Sequence, residues 1–265
     1  MNQAARHDVW ASGNPYERYV GRWSRKVAPE FLAWLGMPNE LDWLDVGCGT
    51  GALTQTILDR ASPKSVKGID GSAGFLEYAK SNITDPRASF AVGDARSLPV
   101  DDASVDAAIS GLVMNFVPEP VQMAADMARA ARVGGTVAVY VWDYSGKMEI
   151  MRAFWSAALE LDPNAADEGP RFQMCNPDSL RSIFSEAGLR DVETRAIDVA
   201  AFFHDFDDYW SPFLGGQGPG PAYVMSLDTE RRNTLRDRIR SKLREEADGS
   251  IRLTARAWAV RGRKA

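Results

Sequence analysis

Residues 44–51 read LDVGCGTG: an apolar run, an acid at Asp45, and glycines at Gly47, Gly49 and Gly51. A chain that leaves a strand and bends sharply into a helix needs backbone angles that a β-carbon disfavours, and glycine supplies them. Missing side chains also let a ligand approach the main chain, while a helix starting near Ala52 points its first amides toward that ligand. Asp70, in GIDGS, lies nineteen residues past Gly51 at the end of another apolar run. A carboxylate there can accept from two ribose hydroxyls, at about 1.5–3 kcal/mol for each charge-assisted bond; the plainer role for Asp70 or Ser72 is to cap the next helix. Asp94, in VGDARSLP, follows twenty-four residues later. Its carboxylate could accept from a base amino group while the Ala95 amide donates to a ring nitrogen. One such acid means little, but three polar corners at three successive strand ends describe a nucleoside site. The glycine loop alone is ambiguous, since it fits GxGxG and, extended to Ala52, the dinucleotide pattern GxGxxA.

The flanking periodicity supplies the elements that must hold these corners. Strands are predicted over 41–46, 65–70, 88–92, 105–110 and 136–142, and helices over 52–61, 72–82 and 121–131. Their alternation implies parallel pairing through right-handed crossovers. Ahead of them, Tyr19, Trp23, Val27, Phe31 and Trp34 recur at helical spacing. After Trp142 the spacing predicts helices over 148–161 and 178–187, a strand over 192–203, a charged amphipathic helix over 227–247, and a last strand from Ile251 whose alternate residues share one side. That last pair is expected as an antiparallel edge on the sheet.

Composition narrows the function classes. The 265 residues carry a formal net charge of -5 and 45% apolar residues, enough for a sizeable core and contrary to a general nucleic-acid or anionic-membrane binder. The two cysteines, Cys48 and Cys175, suggest neither a disulfide framework nor a metal cluster, which suits a reducing cytoplasm. With no signal-like or membrane-length apolar run, a cytoplasmic location is expected.

The set LDVGCGTG, GIDGS, GDARSLP and SVDAAISGLVMNFVPEP resembles, in order and spacing over residues 41–142, the class I S-adenosylmethionine-dependent methyltransferases of small-molecule type. The resemblance implies a Rossmann-like, doubly wound α/β fold with a seven-stranded sheet, mostly parallel with an antiparallel last strand, and S-adenosylmethionine as cofactor. It implies that Gly47, Cys48, Gly49 and Gly51 hold the methionine end with Asp45 near its amino group, that Asp70 takes the ribose, that Asp94 and Ala95 take adenine, and that the backbone at Ser110 faces the cofactor, with Gly71 and Ser72 also among the cofactor-binding residues. The N-terminal NPYERYVGRWSR is similar to segments that cover the cofactor in this family, so Tyr16 and Arg22 could reach the methionine carboxylate; equally, the aromatics could pack a helix with Arg22 solvated. Many small-molecule members carry histidine where Asn115 stands, so no base role is carried over to it.

On this reading residues 1–40 form a helical cap and 41–265 the cofactor-binding domain, with a substrate lid at 202–247. Asn115, Trp142, Tyr209 and Trp210 are the candidates for touching a small-molecule substrate, against the plainer reading that the rings of 202–223 fill a gap over the sheet. No catalytic base is identified, His7 and His204 being poorly placed, and no metal site is expected. The leading expectation is methyl transfer by in-line displacement; a non-catalytic S-adenosylmethionine-binding protein and an NAD-dependent oxidoreductase are the alternatives.

Overall fold

The computed structural model describes residues 22–215 and 218–265. Seven strands form one sheet: β1 (Asp42–Val46), β2 (Ser65–Asp70), β3 (Ala88–Val92), β4 (Val105–Gly111), β5 (Ala131–Trp142), β6 (Arg190–Phe203) and β7 (Ile251–Arg263). Their order is β3-β2-β1-β4-β5-β7-β6. The first five pair in parallel, and β7 runs antiparallel to both β5 and β6. The sequence pattern expects the last two strands as an antiparallel edge pair, and they form it: β7 sits between β5 and β6, and β6 is outermost. With β7 in the middle, its Ala255, Ala257 and Ala259 are fully buried.

Trp43, Leu44, Asp45 and Val46 in β1 are all buried, as a central parallel strand covered on both faces requires. The crossover helices are α2 (Ala52–Arg60), α3 (Ala73–Asn82) and α4 (Pro120–Ala130), and α1 (Arg22–Leu35) precedes β1. Helix α1 buries Trp23, Val27, Phe31 and Leu35, with Phe31 tilted against Tyr140 of β5 at 4.8 Å between ring centroids. Beyond β5 lie α5 (Glu149–Leu161), the short α6 (Glu168–Arg171) and α7 (Pro177–Glu186); beyond β6 lie α8 (Phe206–Trp210), a 3-10 turn (Ser211–Gly215), α9 (Pro219–Ser226) and α10 (Thr229–Lys242). No described helix is long and apolar enough to cross a membrane.

From β1 the chain winds outward through β2 and β3, then returns past β1 to β4 and β5. This reversal between β1 and β4 opens a crevice beyond their carboxyl ends, the place where open α/β sheets receive ligands.

Candidate active site

The crevice begins at the glycine loop. Gly47, Gly49 and Gly51 all have positive φ, at 71°, 53° and 87°. A β-carbon on Gly47 would stand 2.9 Å from Val113 Cβ, so this glycine is required by close packing as well as by angle. The loop is tied to β2 by the Gly47 and Cys48 amides, which donate to the Ile69 carbonyl at 2.7 and 3.0 Å.

Asp70 closes the same turn. Its Oδ2 accepts from the Gly49 amide at 2.9 Å, and its Oδ1 from the Ser72 amide at 2.8 Å. Burial raises its carboxyl above the usual range against the lowering by those two amides. Ser72 also caps α3 through its hydroxyl, which accepts from the Phe75 amide at 3.3 Å. The cap reading and a ligand-facing position therefore coexist in one turn.

Asp45 is fully buried. Thr54 Oγ1 donates to its Oδ2 at 2.6 Å, while its Oδ1 has no hydrogen-bond partner among the described residues. Desolvation, and beyond it the charge of Asp70, pushes this carboxyl up to about 7. A buried acceptor without a donor is costly, and Asp45 is among the residues that border a cavity of about 280 Å3. Gly47, Cys48, Gly49, Asp70 and Ser72 line the same cavity, as does Trp142. Burial pushes the Cys48 thiol well above its ordinary value, so it lines the site as an apolar group.

A second, more open hollow is lined by Gly71, Asp94, Ala95 and Arg96 and by Phe116, Val117 and Pro118. Phe116 lines both spaces, so the cavity and the hollow adjoin at this residue. Asp45 and Asp70 thus border the cavity, and Asp94 the adjoining hollow.

Other expected residues stand elsewhere. Ser110 lines neither space: it is fully buried and its hydroxyl donates to the Val46 carbonyl at 2.6 Å, binding β4 to β1, while Gly111 reaches the lining. Arg22 pairs with Asp208 at 2.8 Å and lies over the Trp23 and Phe203 rings, and it lines neither space. Asn115 has both side-chain amide atoms buried without a hydrogen-bond partner, beside the cavity wall but not in it. Tyr209 and Trp210 are buried away from the cavity: the Tyr209 hydroxyl donates to the Ile150 carbonyl at 2.8 Å, and both rings pack on Phe213. Apolar rings bury more area in that layer than at a solvated lid. Of residues 202–223, Pro219 is the one found in the described lining. Tyr16 and His7 lie outside the described residues.

The structure adds a wall that sequence reasoning missed: Tyr140, Tyr144, Met148, Met151 and Glu168. Glu168 is a buried carboxylate at the start of α6, and its Oε2 accepts from Trp155 Nε1 at 2.8 Å. Asp167 holds α6 in place by capping Gly169 and pairing with Arg152 at 2.8 Å. The acid in DEGPR carries the signal, but a four-residue helix has no periodicity to reveal it.

Comparison with known proteins agrees with this geometry. A family model described as a methyltransferase domain matches residues 44–139. A demethylmenaquinone methyltransferase of Roseiflexus castenholzii is 31% identical over 173 residues, covering 60% of this chain and 71% of the relative. A malonyl-[acyl-carrier protein] O-methyltransferase of Hahella chejuensis is 35% identical over 100 residues, covering 38% of this chain and 35% of its own length. Among solved structures, phosphoethanolamine N-methyltransferase 2 of Haemonchus contortus, in complex with phosphomonomethylethanolamine and S-adenosylhomocysteine, shares the fold at a TM-score of 0.59 and 15% identity, over 95% of this chain and 58% of that one. The chain belongs to the class I S-adenosylmethionine-dependent methyltransferases.

Proposed function

We propose that the crevice transfers a methyl group from S-adenosylmethionine to a small, largely apolar acceptor seated against Trp142, Tyr144, Met148 and Met151. One observation carries the assignment of ends: the unpartnered Asp45 Oδ1 at the border of a glycine-lined cavity that adjoins, at Phe116, a hollow lined by Asp94. The residues fit the cofactor. Asp45 would meet the ammonium of the methionine end, Asp70 the ribose and Asp94 with Ala95 the adenine. The bound cofactor supplies a methyl group already activated on a sulfonium.

The protein's own task is then to bind, orient and exclude water. Holding both reactants in line removes on the order of 7–11 kcal/mol of barrier in favourable cases. The apolar wall keeps water from the sulfonium. Where the acceptor carries its nucleophile as an N–H or O–H group, the Glu168 carboxylate, oriented by Trp155 Nε1, is the group in that wall suited to receive the proton. The Roseiflexus relative is a demethylmenaquinone methyltransferase, which supports an acceptor with an apolar body.

Calorimetric titration with S-adenosylhomocysteine and with NAD tests the cofactor end: micromolar-range binding of the first without the second is expected, and the reverse would overturn the reading. Incubation with methyl-labelled S-adenosylmethionine and a fractionated metabolite extract tests transfer. Label is expected in a small organic-soluble product; label confined to protein or nucleic acid would sink the acceptor assignment.

A further inference from the structure

The hollow at the end of β3 has a cross-tie that the cofactor reading leaves unused. Arg96 grips Asp94 three times: its backbone amide and Nε donate to Asp94 Oδ1 at 2.8 and 3.0 Å, and its Nη2 donates to Oδ2 at 2.7 Å. Its remaining arm, Nη1, donates to Glu119 Oε2 at 2.9 Å. Asp94 and Arg96 line the hollow from the end of β3, Phe116, Val117 and Pro118 line it from a second segment, and Glu119 directly follows Pro118. One guanidinium therefore joins the two chain segments that border the hollow.

We propose that Arg96 is a positioning residue for adenine recognition: held at its other arm by Glu119, it fixes the Asp94 carboxylate in one orientation. This deepens the cofactor assignment and rests on it. A carboxylate offers about four lone-pair directions. Arg96 takes two on Oδ1 and one on Oδ2, which leaves Oδ2 with a direction for one further donor. An exposed aspartate without that grip would sample several rotamers, and ordering it would fall on the ligand. The Arg96 contact also holds the Asp94 carboxyl down at about 2, a mark of how closely the two groups are paired. The pair itself is solvent-exposed, so its loss should cost the fold little. Its effect is concentrated in recognition.

The base chemistry provides the readout. S-adenosylhomocysteine presents a 6-amino donor to Asp94; S-inosylhomocysteine presents a 6-oxo acceptor instead. Affinities of both are measured by calorimetry for the wild-type chain, Arg96→Ala, Arg96→Lys and Glu119→Gln, with thermal melts confirming that each variant is folded. The wild-type chain is expected to prefer the adenine ligand. Arg96→Ala should weaken that ligand roughly tenfold, the loss of one charge-assisted contact, and leave the inosine ligand within about twofold. Arg96→Lys should recover little, because an ammonium cannot reproduce the fork. Glu119→Gln should shift the preference in the same direction by less. Equal weakening of both ligands would assign Arg96 a merely structural role and overturn the proposal. Tighter adenine binding in Arg96→Ala would make Arg96 a competitor of the base and also overturn it. A wild-type chain that binds neither nucleoside would remove the cofactor assignment beneath it, a failure distinguishable from the other two.

Discussion

At the scale of single residues, the site is built from side chains whose burial is unfavourable unless a ligand completes them. Asp45 is the clearest case, because Thr54 satisfies one oxygen and leaves the other unpartnered. Its carboxyl lies near 7, raised chiefly by desolvation and then by Asp70. The linkage has a definite sign. A raised folded pKa means that the folded chain keeps a proton the unfolded chain releases, so this contribution to stability is complete below about pH 4 and is lost as pH rises through about 7. Ligand binding runs the other way, because an α-ammonium, still largely protonated up to about pH 7.5, is held by the carboxylate form. Between pH 5.5 and 7 the ionised fraction of Asp45 rises steeply, and affinity for S-adenosylhomocysteine should rise roughly tenfold. Asp45→Asn should flatten that profile and weaken binding at neutral pH. Calorimetry across the pH range checks this, and an affinity that is flat or falls with pH in the wild-type chain would remove the ammonium from Asp45.

At the scale of elements, the strand-to-helix turns decide what the side chains can do. Gly47 and Gly49 both have positive φ, but their surroundings differ. An added β-carbon at Gly47 meets Val113, whereas at Gly49 it meets nothing within 4 Å. Gly47→Ala should therefore lower stability by about 1–3 kcal/mol through strain and crowding. Gly49→Ala should cost the fold about 1 kcal/mol and act mainly on ligand binding, since that open space belongs to the cavity lining. Urea melts and S-adenosylhomocysteine titrations of the two variants separate these effects, and matching losses in both measurements would contradict the distinction. These turns were legible because each leaves a local signature: glycines at alternate positions, then an acid at the end of an apolar run. The strands β1 to β5 were legible for the same reason, through runs and periods of a few residues. The position of β7 between β5 and β6 was not, because strand order is a non-local property that alternation alone does not encode. Nor was Glu168, which reaches the cavity through α6 docking: the Ser145 hydroxyl meets the Gly169 carbonyl at 3.1 Å and Arg152 pairs with Asp167. The identities of Tyr209 and Trp210 were equally compatible with a lid and with a packed layer, since aromatic composition does not say which surface a ring covers.

At the scale of the whole molecule, that packed layer joins the segment after β6 to the body of the domain. Phe203 lies edge-on to both Trp23 of α1 and Tyr209 of α8, Tyr209 leans on Phe213, and Phe213 stacks on Phe154 of α5 at 4.6 Å. Rings from the N-terminal helix, the edge strand and the late helices thus share one apolar stratum. This continuity argues that residues 202–215 unfold together with the sheet. The Tyr209 hydroxyl is the polar anchor within the layer, fully buried and donating to the Ile150 carbonyl; burial also pushes its ionisation far above the ordinary phenol range. Tyr209→Phe keeps the ring and removes one buried hydrogen bond to a helical carbonyl, at a cost of about 1 kcal/mol. The variant should melt in a single transition at lower temperature, with S-adenosylhomocysteine affinity unchanged within about twofold because Tyr209 stands apart from the cavity. Calorimetric melts and ligand titration of the same preparation measure both quantities. A separate early transition would show that the late segment is an independent lid, and a large loss of affinity at unchanged stability would return Tyr209 to the ligand site.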